Sequence, residues 1–187
     1  MDLFLEMVMV KKRFLGVGTR FIFYQEASHV NYLMFLHKLF SKLGYCSSKL
    51  PVITTKLGSK GKIRKLASFA TWTYISFNWI YDLWYEKQIK HVPDNIDQYL
   101  TPLTLAIWIM QDGAKVGQSL KLCTNSFSYN DCLILIKALN NNFNIKASIQ
   151  SIGSKDKYLI YIWKESMKDI IKIVSPYIIP EMKYKLL

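Results

Sequence analysis

Acidic residues are missing from one long stretch of this 187-residue chain: none lies between Glu26 and Asp82, where Lys38, Lys42, Lys49, Lys56, Lys60, Lys62, Arg64 and Lys65 fall. Across the chain 13 acids stand against 25 Lys and Arg, for a net charge of +12. So basic a surface calls for a polyanionic partner, either nucleic acid or an anionic membrane surface. Arginine is scarce as well, with three against 22 Lys, while Ile, Asn, Tyr and Phe are abundant. AT-rich codons favour this composition, so an organellar genome is expected, mitochondrial first and plastid second. Long apolar runs are absent: none exceeds Leu105–Met110, against the ~20 residues of a bilayer span. A basic amphipathic helix is also lacking, which sets the membrane surface aside. Cys46, Cys123 and Cys132 fit neither a disulfide framework nor a zinc site and suggest a reducing compartment. His29, His37 and His91 have no metal-ligand spacing, and no Gly-rich phosphate loop occurs. Asp2 and an interrupted apolar stretch make residues 1–13 a poor signal or transit peptide, and a chain made inside an organelle needs neither. Apolar residues at 51% and aromatic residues at 14% exclude intrinsic disorder and provide for a core.

Five of the eight bases in the acid-free stretch crowd into Lys56–Lys65, around Gly58-Ser59-Lys60-Gly61. Gly and Ser there mark a turn between two strand-like segments, Val52–Leu57 and Lys62–Thr73. Lys62 and Arg64 share one strand face, with Ile63 on the other. Such a segment is either a solvated hairpin or a basic ribbon of the width that enters a DNA major groove. A second ribbon has the same plan. Ile145, Ala147 and Ile149 alternate with Lys146, Ser148 and Gln150, a turn follows at Gly153-Ser154-Lys155-Asp156, and Lys157–Trp163 returns. One face is apolar and the other polar and cationic, the pattern of a half-buried sheet with one working face.

Each ribbon follows a helix, and the two helices align at an offset of 100 residues, Ser28–Leu36 with Ser128–Ile136. Both open on a Ser suited to capping. A short strand precedes each, Thr19–Gln25 and Ser119–Asn125, and a helix follows each ribbon, around Asn78–Glu86 and Met167–Ser175. The chain therefore reads as an internal duplication joined by Pro93–Thr101. Two similar halves imply pseudo-two-fold symmetry, which suits a near-symmetric duplex. Trp72, Trp79, Trp84, Trp108 and Trp163 have apolar neighbours and read as core rather than as stacking platforms.

Leu105-Ala-Ile-Trp-Ile-Met-Gln-Asp-Gly113 is an apolar helix that ends in a carboxylate followed by glycine. By itself an Asp-Gly pair is an ordinary helix stop; here it opens the second repeat, where the symmetry axis of a duplicated fold would lie. These nine residues resemble the motif helix of the LAGLIDADG homing endonuclease and maturase family, with Asp112 at the metal-binding acidic position. Tyr99–Lys115, Leu122-Cys-Thr-Asn-Ser-Phe-Ser128 and Pro176–Leu186 are similar to the second half of single-chain, two-motif members. Thr19-Arg-Phe-Ile-Phe23 and Lys90-His-Val-Pro93 fit the first half.

The resemblance implies an α+β fold of two pseudo-symmetric αββαββα repeats, residues 1–98 and 99–187, whose sheets form a β-saddle over DNA. It implies a monomeric, intron-encoded endonuclease in which two motif helices bring one carboxylate each to shared Mg2+ (or Mn2+) ions, and each DNA strand is hydrolysed there. Lys90 and Lys185 match the lysines beside such sites, for charge stabilisation or proton handling. Arg20, Lys56, Lys60, Lys62, Arg64, Lys65, Lys121, Lys146, Ser148, Gln150, Lys155 and Lys157 are the expected DNA contacts: the many lysines dominate through phosphates, and ribbon side chains such as Lys62, Arg64, Ser148 and Gln150 read base edges. The first motif departs from the pattern: Glu6 stands where Asp belongs, in Leu5-Glu6-Met7-Val8 rather than Gly-Asp-Gly. Read one nucleotide earlier, codons for Glu6–Val10 can give Asp-Gly-x-Gly, so a shifted frame or an internal start is expected. The alternative function is an RNA-binding maturase of group I intron splicing, or a structural RNA-binding protein, that kept the fold and lost cleavage.

Overall fold

A computed structural model describes residues 8–12, 18–57, 61, 63–124, 126–153 and 156–187, the backbone alone for 8–12. Glu6 with the rest of residues 1–7, and Lys60, Lys62 and Lys155, lie outside the described residues. The chain forms two compact units, one ending at Tyr81 and the other beginning at Asp82.

In the first unit β1 (Val8–Lys12), β2 (Thr19–Glu26), β3 (Thr54–Leu57) and β4 (Ile63–Ala70) make an antiparallel sheet in the order β1-β2-β4-β3. Helix α1 (Val30–Lys42) packs on β2 and β4. Phe21 and Phe23 of β2 turn inward, and Tyr32, Leu33 and Leu36 of α1 are buried at helical spacing. His37 is buried as well, its Nε2 donating to the Ser47 carbonyl at 2.8 Å, which fastens the loop after α1. Ser28 does not cap α1. It falls inside a 3-10 turn, Ala27–His29, so His29 takes the N-cap position and no side-chain bond closes the helix start.

Helix α2 (Asn78–Trp84) runs across the division between units. The second unit continues with a two-stranded ladder of β5 (Tyr85–Glu86) and β6 (Ile89–Lys90), then α3 (Pro102–Asp112), β7 (Gly113–Val116), β8 (Ser119–Cys123), α4 (Tyr129–Phe143), β9 (Ala147–Ser151), β10 (Tyr158–Ile162) and α5 (Met167–Val174). Its sheet has the order β7-β8-β10-β9, the strand order of the first unit over again. The fold is α+β, as expected, with the same sheet plan in both units.

Local chemistry explains the helix ends here. Ser128 caps α4 as the sequence implied, accepting from Asp131 N at 3.2 Å, while Asp131 Oδ2 accepts from Ser128 N at 2.9 Å. This reciprocal box satisfies backbone donors that a helix start otherwise leaves open. Thr101 and Thr104 form a second box at α3, with Pro102 in the first turn where its missing N–H costs nothing. The segment 93–101 is packed rather than loose: Ile96 and Leu100 are buried, and Asn142 of α4 donates to the Asp97 and Leu100 carbonyls at 2.7 and 2.9 Å. Among the described residues no helix is long and apolar enough to cross a membrane.

The tryptophans divide. Trp84 and Trp108 are core, as read from their neighbours, whereas Trp72, Trp79 and Trp163 are exposed. Apolar neighbours in sequence do not bury a side chain that lies beyond a strand end (Trp72, Trp163) or on the outer face of a short helix (Trp79).

Candidate active site and nucleic-acid interface

Helix α3 is buried at six consecutive residues, Leu105–Met110, so it is enclosed on all sides. Its end carries Asp112 and Gly113. Asp112 is the last helical residue, half-buried, with Oδ2 shielded from solvent. Gly113 then turns the chain directly into β7, its N–H donating back to the Ile109 carbonyl. A Cβ on Gly113 would overlap that carbonyl oxygen and come within 3.1 Å of Ile109 C and Cα. Only glycine therefore lets the strand leave so tightly behind the carboxylate, which gives the Asp-Gly pair a steric cause.

Lys185 closes the same helix end. It lies in a 3-10 turn, Pro180–Lys185, and is 9% exposed. Its Nζ donates to the Met110 carbonyl at 2.6 Å and to the Gln111 carbonyl at 3.1 Å. A cation on the last carbonyls complements the negative end of the helix dipole. Burial holds the Lys185 pKa below the ordinary lysine value, while the Asp112 carboxylate and, less strongly, Cys123 pull it back up. Lys185 is thus bonded to the two carbonyls just before Asp112, near enough for the carboxylate to act on its charge.

Lys90, in β6, is held by different contacts. Its ammonium lies 5.2 Å from the centroid of the buried Phe127 ring, a cation–π geometry. Phe127 is pinned from both sides. Its N–H donates to the Thr124 carbonyl at 3.0 Å, and next along the chain Ser128 enters the box with Asp131. The same Asp131 accepts from Val92 N at 2.8 Å through Oδ1. One buried carboxylate thus ties the strand that bears Lys90 to the ring beneath it. The S-x-x-D spacing of Ser128 and Asp131 is a capping signal visible in the sequence, but its second bond to Val92 is not.

The expected nucleic-acid contacts fall mainly on one face of each sheet. In the first sheet Arg20, Lys56 and Arg64 share a face with Tyr24 and Glu26. Lys56 Nζ is 5.9 Å from the Tyr24 centroid, and the Arg64 guanidinium pairs with Glu26, its Nε donating at 3.1 Å. Lys65 is exposed but falls on the opposite face, since it is adjacent to Arg64 in the same strand. Near the ribbon end both faces are open, with Leu57 and Ile63 exposed. In the second sheet Lys121, Tyr161 and Ser148 form one cross-strand row, and Gln150 continues that face. The Trp163 indole N–H donates to Ser148 Oγ at 3.2 Å. Lys146 and Lys157 are exposed just before β9 and just before β10.

A divalent metal suits the donor chemistry in part. Asp112 offers a hard carboxylate oxygen of the kind Mg2+ prefers, but among the described residues no three of His, Cys, Asp or Glu gather to hold a metal ion. Asp112 by itself could offer one ligand, not a cage.

Comparison with known proteins shows the family. The model of the LAGLIDADG DNA endonuclease family matches residues 7–170. Cytochrome b mRNA maturase bI2 of Saccharomyces cerevisiae is 54% identical over 184 residues, 94% of this chain and 43% of the yeast protein. The chain therefore spans less than half the length of that relative. Intron-encoded endonuclease ai4 of Dictyostelium discoideum is 38% identical over 156 residues, 81% of this chain and 98% of its own. The solved structure of the homing endonuclease I-WcaI bound to its DNA recognition sequence superposes with a TM-score of 0.88 at 29% identity, over all of this chain and 83% of that one. The motif helix, the duplicated sheet plan and these matches have one explanation: the chain belongs to the LAGLIDADG DNA endonuclease family.

Proposed function

We propose that this chain is an intron-encoded, site-specific double-strand DNA endonuclease, and that the end of α3 is one half of its active site. The observation that carries the reading is the buried Lys185 ammonium seated on the last carbonyls of the helix that ends in Asp112, at a turn that only Gly113 can make. Asp112, with Glu6 as its counterpart, would hold Mg2+ or Mn2+, and such an ion would supply charge neutralisation and a nucleophilic water at the scissile phosphate. Lys185 fixes the backbone next to Asp112, and Lys90 offers a second positive charge steadied by Phe127. Arg20, Lys56 and Lys121 would bind phosphates, while Arg64, Ser148 and Gln150 would meet base edges from the sheet face. The duplicated repeats, residues 1–98 and 99–187, are proposed to act as a monomer on a long duplex site. Mitochondrial origin is supported by the AT-type composition and by the cytochrome b maturase among the relatives.

A second reading rests on that same relative: 54% identity to an mRNA maturase supports intron RNA as the ligand. Incubating the chain with host-gene DNA lacking the intron, in Mg2+, with Asp112→Asn as control, separates the two. Cleavage of both strands supports the endonuclease, and nicking of one strand marks a single working half-site. No metal-dependent cut together with tight binding of intron RNA supports the maturase.

A further inference from the structure

The ribbon of the first unit is one end of β4, and the other end carries an exposed apolar patch that neither the cleavage site nor the sheet face uses. Beyond Ala70 the chain pairs with the loop after α1: Trp72 N donates to the Tyr45 carbonyl at 2.8 Å, next to a bridge between Cys46 and Thr71. The Tyr45 and Tyr74 rings meet edge to face at 6.0 Å, and Tyr74 Oη donates to the Gly44 carbonyl at 3.3 Å. The backbone here is fixed, yet Trp72 is 54% exposed and Leu43 and Ile75 more so. Large apolar side chains exposed on a fixed backbone mark a binding surface. Trp72 lies nine positions after Ile63, which at about 3.3 Å per strand residue sets the patch roughly 30 Å from the ribbon end.

The charge around the patch states what kind of partner fits. Exposed Lys42 and Lys49 flank Tyr45 within four residues, exposed Lys38 lies one helical turn before Lys42, and residues 27–81 contain no acid. An aromatic platform among cations, with no negative charge near in sequence, matches a strand whose bases stack and whose phosphates pair with lysine. Duplex DNA keeps its bases stacked on each other, whereas unpaired RNA offers them. We propose that the Tyr45–Trp72 surface binds an unpaired RNA strand, separately from the sheet faces. The proposal rests on the RNA reading of the chain's function.

The test measures binding of the 187-residue chain to an unstructured RNA of about 12 nucleotides and to duplex DNA. Trp72→Ala is expected to weaken RNA binding about tenfold or more while duplex binding is unchanged, and Trp72→Phe to restore most of it. Lys42→Gln with Lys49→Gln is expected to lower the salt slope for RNA by about 1.4. RNA binding that Trp72→Ala leaves intact but Lys56→Gln weakens overturns the proposal while the RNA reading stands. Absence of RNA binding by the wild-type chain overturns both. Equal loss of single-stranded RNA and DNA in Trp72→Ala, or dimerisation of the chain that Trp72→Ala abolishes, also overturns it.

Discussion

Lys185 donates its ammonium to the Met110 carbonyl, 75 residues away in the chain, at the end of the helix that carries Asp112. That bond is both a helix cap and a charge placed beside a carboxylate. Lys185→Met keeps the apolar bulk and removes the donors, so urea unfolding should show a loss of about 1–3 kcal/mol. Because burial lowers the Lys185 pKa below 10.5, the unfolded chain holds its proton over a pH range in which the folded chain has lost it. Wild-type stability relative to Lys185→Met should therefore rise with pH on approach to 10.5 and be flat well below the folded pKa.

Gly113→Ala tests the turn behind Asp112. The added methyl would overlap the Ile109 carbonyl, so the strand must move or the helix end must open. A stability loss of about 1–3 kcal/mol is expected. Metal-dependent cleavage should fall by a larger factor than stability alone explains, since a displaced carboxylate costs rate steeply. Thermal melts and single-turnover rates on the same preparation check it.

Phe127→Leu removes the ring beneath Lys90 and keeps a buried apolar side chain. Cleavage should drop several-fold, in line with a cation–π contact of roughly 1 kcal/mol. Asp131→Asn disturbs the clamp on Val92 and Ser128 and should lower both stability and rate. Reductive methylation with 13C reads Lys90 directly: its resonance should carry a ring-current shift that Phe127→Leu abolishes.

Glu26→Gln releases Arg64. Both side chains are about half exposed, at 53% and 54%, so the pair should contribute less than ~1 kcal/mol to stability. Freed from its carboxylate, Arg64 brings an uncompensated positive charge to the proposed DNA-facing side of the sheet. Duplex DNA binding should tighten, and its salt slope should steepen by up to about 0.9. Titrations at several salt concentrations measure both.

What could be read ahead of the structure was whatever local chemistry encodes. The 100-residue offset of Thr19 and Ser119 foretold two sheets of one plan, because strand and helix periods repeat with their turns. Leu105–Met110 announced a buried helix, and Asp112-Gly113 its end. Ser28 misled because Ala27–His29 winds as a 3-10 turn, a preference that no cap residue signals. The partners of the site were hidden for another reason. Arg64 meets Glu26 38 residues away, and Asp131 meets Val92 39 residues away, through tertiary packing that spacing does not record. Trp72 likewise sits among apolar neighbours in sequence and yet faces solvent, since the bridge at Thr71 sets its direction.

The most direct measurement is strand-resolved cleavage of intron-free host-gene DNA by the wild-type chain and by Asp112→Asn, with and without Mg2+. Cutting that requires Mg2+ and is lost in Asp112→Asn, on at least the strand served by the α3 half-site, is the predicted result. No Mg2+-dependent cut of either strand, or a cut that survives Asp112→Asn unchanged, would contradict it.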